Sequence, residues 1–161
     1  MNDTTVSLPQ IPKEIDALCY KIIGICMNIH TEVGPGFPEE YYQKALEIEF
    51  GDSKIPFESQ QGVTISYKEI PIGMNYLDFL IEEKLILEIK SVNQLTNIHK
   101  FQVLKYIGYT GLDYALLVNF GKESLQHERI LPTRKMLDFR QKQTINNTIQ
   151  NNYTNILKTI K

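Results

Sequence analysis

No stretch of the 161-residue sequence approaches the roughly 20 consecutive apolar residues that a membrane span requires. The N-terminus, Met1 to Gln10, has neither an apolar run nor a basic start. The expected location is therefore cytoplasmic, with no membrane partner. Cysteine is scarce. Cys19 and Cys26 would lie about 10 Å apart along an ideal helix axis. A disulfide needs Cα atoms within about 7 Å, so both are expected as reduced core residues. No His or Cys cluster has zinc spacing, which excludes a structural zinc site. A basic excess is also missing: 17 Lys and Arg stand against 19 Asp and Glu, for a net charge of −2. That excludes a general basic coat for nucleic acid. A nucleic-acid partner would need a local basic groove, or a metal that offsets phosphate charge.

What remains is an ordinary globular mix, 42% apolar and 22% charged, without an internal repeat. Its length suits one domain with one core. From Lys13, apolar residues at Ile15, Leu18, Cys19, Ile22, Ile23, Cys26 and Ile29 mark one face of a helix over 13–32. Gly34-Pro35-Gly36 stops it. Pro38 suits the first turn of a second helix, and Glu39 and Glu40 suit its positive N-terminal end. That helix is expected to reach about Phe50. Its inward residues are Tyr42, Ala45 and Leu46, and Phe37, Tyr41 and Phe50 are also assigned to the core.

Strands follow: Val63, Ile65 and Tyr67 alternate with polar residues, then come Met74 to Ile81 and Leu85 to Ser91. Thr96 can cap a helix over about 97–109, with Ile98, Phe101, Leu104 and Ile107 as its packing face. Ala115 to Asn119 reads as a buried strand and Leu125 to Leu131 as a more polar edge strand. The order α, α, β, β, β, α, β, β defines a mixed α/β core. The first domain is assigned to residues 12–131. Residues 132–161 form a C-terminal extension, helical from about 143. There Ile145, Ile149, Tyr153, Ile156 and Ile160 make an amphipathic stripe. The stripe is expected to dock on its own domain, on a second copy or on a protein partner.

Side chains alternate along a strand, so Glu88 and Lys90 share a face while Leu85, Leu87 and Ile89 point the other way. Asp78 sits on the preceding strand. It stands opposite Glu88 only if the connecting loop is centred on residue 83, as in a three-residue loop Glu82-Glu83-Lys84, or if a bulge intervenes. A two-residue loop would put the two carboxylates on opposite faces. Converging carboxylates need a cation or a shared proton. Hard oxygen ligands of this kind suit Mg²⁺ or Mn²⁺, with the Ile89 carbonyl as a third ligand. Lys90 beside them could orient water and stabilise developing negative charge, which is phosphodiester hydrolysis chemistry. His99, Gln102 and Tyr106 share one face of the following helix and could reach over the site.

These pieces together resemble the GxxExxY family, a branch of the PD-(D/E)XK nuclease superfamily. The resemblance rests on Gly36, Glu39 and Tyr42, on His30, on Asp78 and Glu88-Ile89-Lys90, on Gln102 with Tyr106, on Gly111, and on Leu117 to Gly121. It covers about residues 13–131. It implies a restriction-endonuclease-like αβββαβ core with a mixed central sheet flanked by helices. The periodicity adds an extra N-terminal helix and a C-terminal amphipathic helix, and the resemblance does not reach the latter. It also implies Asp78 and Glu88 as metal ligands and Lys90 as the catalytic lysine. Gln102 and Tyr106 would line the site, and Glu39 would bind metal directly or through water. The expected function is a metal-dependent nuclease acting on DNA or RNA. The alternative is a non-cleaving nucleic-acid-binding or regulatory module on the same fold. His30 and Asn119 are expected to be structural.

Overall fold

The computed structural model describes residues 10–142. Helix α1 spans Lys13–Val33 and α2 spans Glu39–Asp52. Strands β1 (Phe57–Tyr67), β2 (Ile70–Ile81) and β3 (Leu85–Lys90) follow, then α3 (Asn97–Thr110), β4 (Tyr114–Asn119) and β5 (Gln126–Ile130). This is the α/β order expected, with a five-stranded sheet in the sequential order β1 to β5. β3 and β4 pair in parallel, joined through α3, and the other neighbours are antiparallel. β5 forms one edge, as its polar pattern implied, and β1 forms the other.

Both faces of the sheet are covered around β3 and β4. On one face, Phe79, Ile81, Leu85, Leu87, Ile89, Leu116 and Val118 meet the apolar side of α1 and α2. Every α1 residue from the predicted stripe is buried there, Cys19 and Cys26 included, and both thiols are free. Burial raises the pKa of both, that of Cys26 to about 12, so they remain thiols. On the other face, Val63, Leu77, Ile86, Ala115, Leu117 and Ile130 meet Val103, Tyr106 and Ile107 of α3. Burial on both faces explains why β3 and β4 read as near-continuous apolar runs.

The β2–β3 hairpin settles the register question. Phe79 stands opposite Leu87, Leu80 opposite Ile86 and Ile81 opposite Leu85. Glu82-Glu83-Lys84 is therefore a three-residue loop centred on Glu83. Glu82 and Glu83 both take positive φ, and the Lys84 N–H donates to the Ile81 carbonyl at 3.0 Å.

Three expectations need correction. α3 does not pack through Ile98 and Phe101, which are 77% and 59% exposed. It is rolled so that Val103, Tyr106 and Ile107 face the sheet. Phe37 and Tyr41 are not core either. They stack on each other at the surface, with ring centroids 5.8 Å apart, while Tyr42 takes the interior position. Finally, β2 begins at Ile70 rather than near Met74 and forms a long ribbon with β1.

Residues 134–142 are helical. Met136 lies against Gly108. Arg140 donates to the Asp113 carboxylate and to the carbonyls of Ile107 and Leu112, which anchors the start of the extension to the end of α3. The amphipathic stripe at 145–160 lies outside the described residues. Among the described residues, no helix is long and apolar enough to cross a membrane.

Candidate active site

The regular β2–β3 ladder ends at Phe79 and Leu87. Beyond it the strands separate, and side chains fill the gap. Asp78 Oδ2 accepts the Ile89 N–H at 2.8 Å, and the Asp78 N–H reaches Glu88 Oε2 at 3.5 Å. The N–H and C=O of one residue in an extended strand point to the same edge. The Ile89 carbonyl therefore faces this gap as well. Lys90 Nζ lies 3.7 Å from Glu88 Oε1 and 4.0 Å from Glu39 Oε1. The structure thus brings Asp78, Glu88, Lys90 and Glu39 together from β2, β3 and the first turn of α2.

Burial dominates the electrostatics. Glu88 is 2% exposed. Desolvation first, then the Asp78 carboxylate, push its pKa up to about 8 against the pull of Lys90. Desolvation also raises Asp78, opposed by the Ile89 N–H, Lys90 and Gln60. Glu39 is raised by burial and lowered by Lys90. Such a cluster holds protons it would lose readily in water, and a cation between the carboxylates would favour their charged forms.

Helix α3 places Tyr106 near enough to feel the Glu88 and Asp78 charges. Gln102 Nε2 donates to the Tyr106 hydroxyl at 3.1 Å. Burial raises the Tyr106 pKa, and the Glu88 and Asp78 charges push it further in the same direction. His99 is committed to the helix start, where its Nδ1 accepts the Thr96 N–H at 3.0 Å. Sequence reasoning missed two polar groups. Gln60 Nε2 donates to Asp78 Oδ1 (3.4 Å), and Gln43 Nε2 reaches the Asp78 carbonyl (3.5 Å). Gln60 sits at positive φ on β1. No local sequence signal marks it, because its relation to Asp78 exists only once β1 and β2 are paired.

The glycine-rich segment before α2 and the end of β4 together hold Glu39 in place. Gly34 and Gly36 take φ of 88° and 81°, which glycine adopts without a Cβ penalty. The Tyr42 hydroxyl donates to the Gly34 carbonyl (2.6 Å) and accepts the Phe37 N–H (3.1 Å). Its ring stacks on Phe120 at 4.3 Å. The Gly36 N–H donates to the Phe120 carbonyl, and the Phe120 N–H donates to the Lys90 carbonyl. The Ser91 hydroxyl donates to the Phe37 carbonyl. Asn119 Oδ1 accepts the N–H groups of Val92 and Gly121. A Cβ at Gly121 would sit 2.2 Å from the Val92 carbonyl oxygen, so only glycine fits there. His30 Nε2 bonds the Lys122 carbonyl at 2.7 Å. Tyr42→Phe is expected to cost about 1–3 kcal/mol, because the Gly34 carbonyl and the Phe37 N–H lose their partner. Urea unfolding of the two proteins measures this.

Among the described residues, no group of three or more His, Cys, Asp or Glu side chains is placed to hold a metal ion. That does not disqualify a hard cation. Mg²⁺ is commonly held by one or two carboxylates and completes its shell with water and substrate phosphate. Asp78, Glu88 and the Ile89 carbonyl fit that donor set.

Sequence comparison matches residues 16–130 to the PD-(D/E)XK nuclease superfamily. The chain belongs to that superfamily, whose nucleases typically use divalent metals. Two solved structures are similar in fold. One is the crystal structure of SSO0001, at 16% identity and a TM-score of 0.49, covering 70% of this chain and 59% of that one. The other is the alkaline exonuclease LHK-Exo from Laribacter hongkongensis, at 11% identity and a TM-score of 0.41, covering 94% and 88%. No curated protein matches the sequence.

Proposed function

We propose that this chain is a Mg²⁺- or Mn²⁺-dependent nuclease of the GxxExxY branch, hydrolysing phosphodiester bonds in DNA or RNA in the cytoplasm. One observation carries the reading. Two carboxylates, the buried Glu88 and the half-buried Asp78, flank the same gap in the sheet, with the Lys90 ammonium 3.7 Å from Glu88. Asp78, Glu88 and the Ile89 carbonyl are the proposed ligands. When bound, the cation supplies a lowered water pKa and positive charge against the phosphate. The protein does the rest. Lys90, held between Glu39 and Glu88, places a fixed positive charge where negative charge develops on the scissile phosphate. Gln102 and Tyr106 offer hydrogen-bond donors from α3 to position the phosphate. Glu39, about half exposed, holds Lys90 from the solvent side and would bind the cation directly or through water.

The test is a cleavage panel of single- and double-stranded DNA and RNA with Mg²⁺, Mn²⁺ or chelator. Cleavage is expected with metal, and none with chelator or in Asp78→Asn. Metal-dependent binding without any cleavage would instead assign the non-cleaving module. Neither binding nor cleavage of any substrate would remove the nuclease reading.

A further inference from the structure

Asp78 is tied to both strands of the β1–β2 ribbon. It lies on β2, and Gln60 of β1 donates to its Oδ1 at 3.4 Å. Two residues from Asp78 along β2, and two from Gln60 along β1, stand Tyr76 and Gly62, which oppose each other. Met74 follows, opposed to Thr64. Val63 and Leu77 are buried with the α3 core, so by alternation Gly62, Thr64, Met74 and Tyr76 belong to the other face. The small residues on β1 leave Met74 and Tyr76 uncovered, and each is 53% exposed. Both lie over Gly62. A Cβ there would stand 2.8 Å from Met74 Sδ and 3.7 Å from Tyr76 Cε1. Glycine thus lets a thioether and a phenol ring settle side by side on the strand. Among the described residues, no second aromatic ring and no hydrogen-bond partner engages Tyr76.

We propose that Tyr76, flanked by Met74 on Gly62, is a stacking platform for an unpaired base of the substrate, which makes single-stranded nucleic acid the substrate class. This rests on the reading of Asp78 and Glu88 as the cleavage site. The platform's place fits a base next to the reacting phosphate. Two residues of extended strand span about 7 Å, and a stacked strand advances roughly 3.4 Å per nucleotide. A strand whose phosphate lies at Asp78 therefore brings its next base or two to Tyr76. Charge fits as well. Neither Ser59 to Tyr67 nor Ile70 to Leu77 contains a charged residue, so this surface suits the neutral part of a nucleotide and offers phosphate no cation. Size excludes a protein as occupant. One ring and one thioether fall far short of the roughly 800 Å² per partner of a standard protein interface, but match one base. Inside a duplex the bases cover one another and come out only at a cost, so an unpaired base is the one that reaches the ring. Stacking also supplies affinity that a chain of net charge −2 does not draw from phosphate attraction.

The experiment is fluorescence anisotropy of the full chain with a labelled oligothymidylate, in chelator so that binding is read without metal-dependent cleavage. It is repeated with the matching blunt duplex and with an abasic strand of the same length that keeps every phosphate. The parent is expected to prefer the oligothymidylate to both. Tyr76→Ala should weaken that binding by roughly 5- to 150-fold, the worth of one stacked base. Tyr76→Phe should keep it and Tyr76→Leu should not, because leucine is apolar but has no flat face to stack. The abasic strand should bind the parent and Tyr76→Ala alike. Tyr20→Ala, which removes an aromatic 80% exposed on α1, should change nothing. Tyr76 is exposed, so circular dichroism and melting of its variants should match the parent. The proposal is overturned by a Tyr76→Ala or Tyr76→Leu variant that binds like the parent, or by a parent that prefers the duplex or binds neither. Cleavage of the same strand with Mg²⁺ is read separately. Cleavage with binding indifferent to Tyr76 removes the platform and leaves the nuclease reading. Binding that depends on Tyr76 without cleavage upholds the platform and removes the nuclease reading.

Discussion

Lys90→Ala is expected to lower single-turnover cleavage by roughly 10²–10³-fold at saturating Mg²⁺, the loss typical when one preorganised charge-stabilising group is removed. Metal affinity should behave oppositely. The Lys90 ammonium sits 3.7 Å from Glu88 and 4.0 Å from Glu39, so it already neutralises part of the charge that a cation would meet. Removing it leaves the buried Glu88 and the half-buried Asp78 to the metal alone. Binding of Mg²⁺ is therefore expected to be retained or tightened while turnover is lost. This split separates a catalytic lysine from one that merely completes an ion pair. Lys90→Met keeps the apolar stem against its neighbours and controls for packing. Lys90→Arg should restore little, because a planar, forked guanidinium cannot occupy a space shaped for a compact ammonium. Cleavage unchanged in Lys90→Met would remove the lysine from the mechanism.

The sheet and its site differ in how far the sequence disclosed them. Alternation placed Glu88 and Lys90 on one face of β3, and the requirement that Asp78 meet Glu88 demanded an odd loop at Glu83; both are local, and the hairpin has that loop. The α1 stripe was equally legible, since one helix face against one sheet face leaves a simple period. The roll of α3 was not. Its apolar residues lie all round the helix, and Ile98 and Phe101 looked like core by hydrophobicity alone. What decides the roll is the sheet beneath, where Val103 and Ile107 share one core with Ile86 and Leu117. Phe37 and Tyr41 misled for a related reason. Three aromatics lie near the α2 start, and only Tyr42 has an interior ring partner, Phe120 just after β4, distant in sequence. Gln60 and Gln43 were silent because each meets Asp78 only through tertiary pairing.

The second large effect concerns protons and metal at the same carboxylates. Glu88 has a folded pKa of about 8, against an ordinary value of 4.5. A raised carboxyl pKa means that the folded state holds its proton more tightly than the unfolded chain. The associated stability is complete below about pH 4.5 and is lost as pH rises through about 8. At about 1.4 kcal/mol per unit, the metal-free protein should lose on the order of a few kcal/mol between pH 5 and pH 9 from this group. Glu88→Gln should flatten that slope. Metal acts in the reverse direction, because it binds the ionised form. Mg²⁺ affinity should rise by up to about tenfold per pH unit while Glu88 must give up its proton, then level off above about pH 8. At 100 times the dissociation constant, the cation should add about 2.7 kcal/mol, or roughly 5–10 °C in melting temperature for a chain of this size. Asp78→Ala should abolish that shift and, by removing one of two crowded carboxyls, lower the Glu88 pKa and move the metal-free stability loss to lower pH. Melting curves across pH 5–9, with and without Mg²⁺, measure all of this together. A parent that melts identically with and without metal at pH 8.5, and identically to Asp78→Ala, would mean that these carboxylates share a proton and hold no cation.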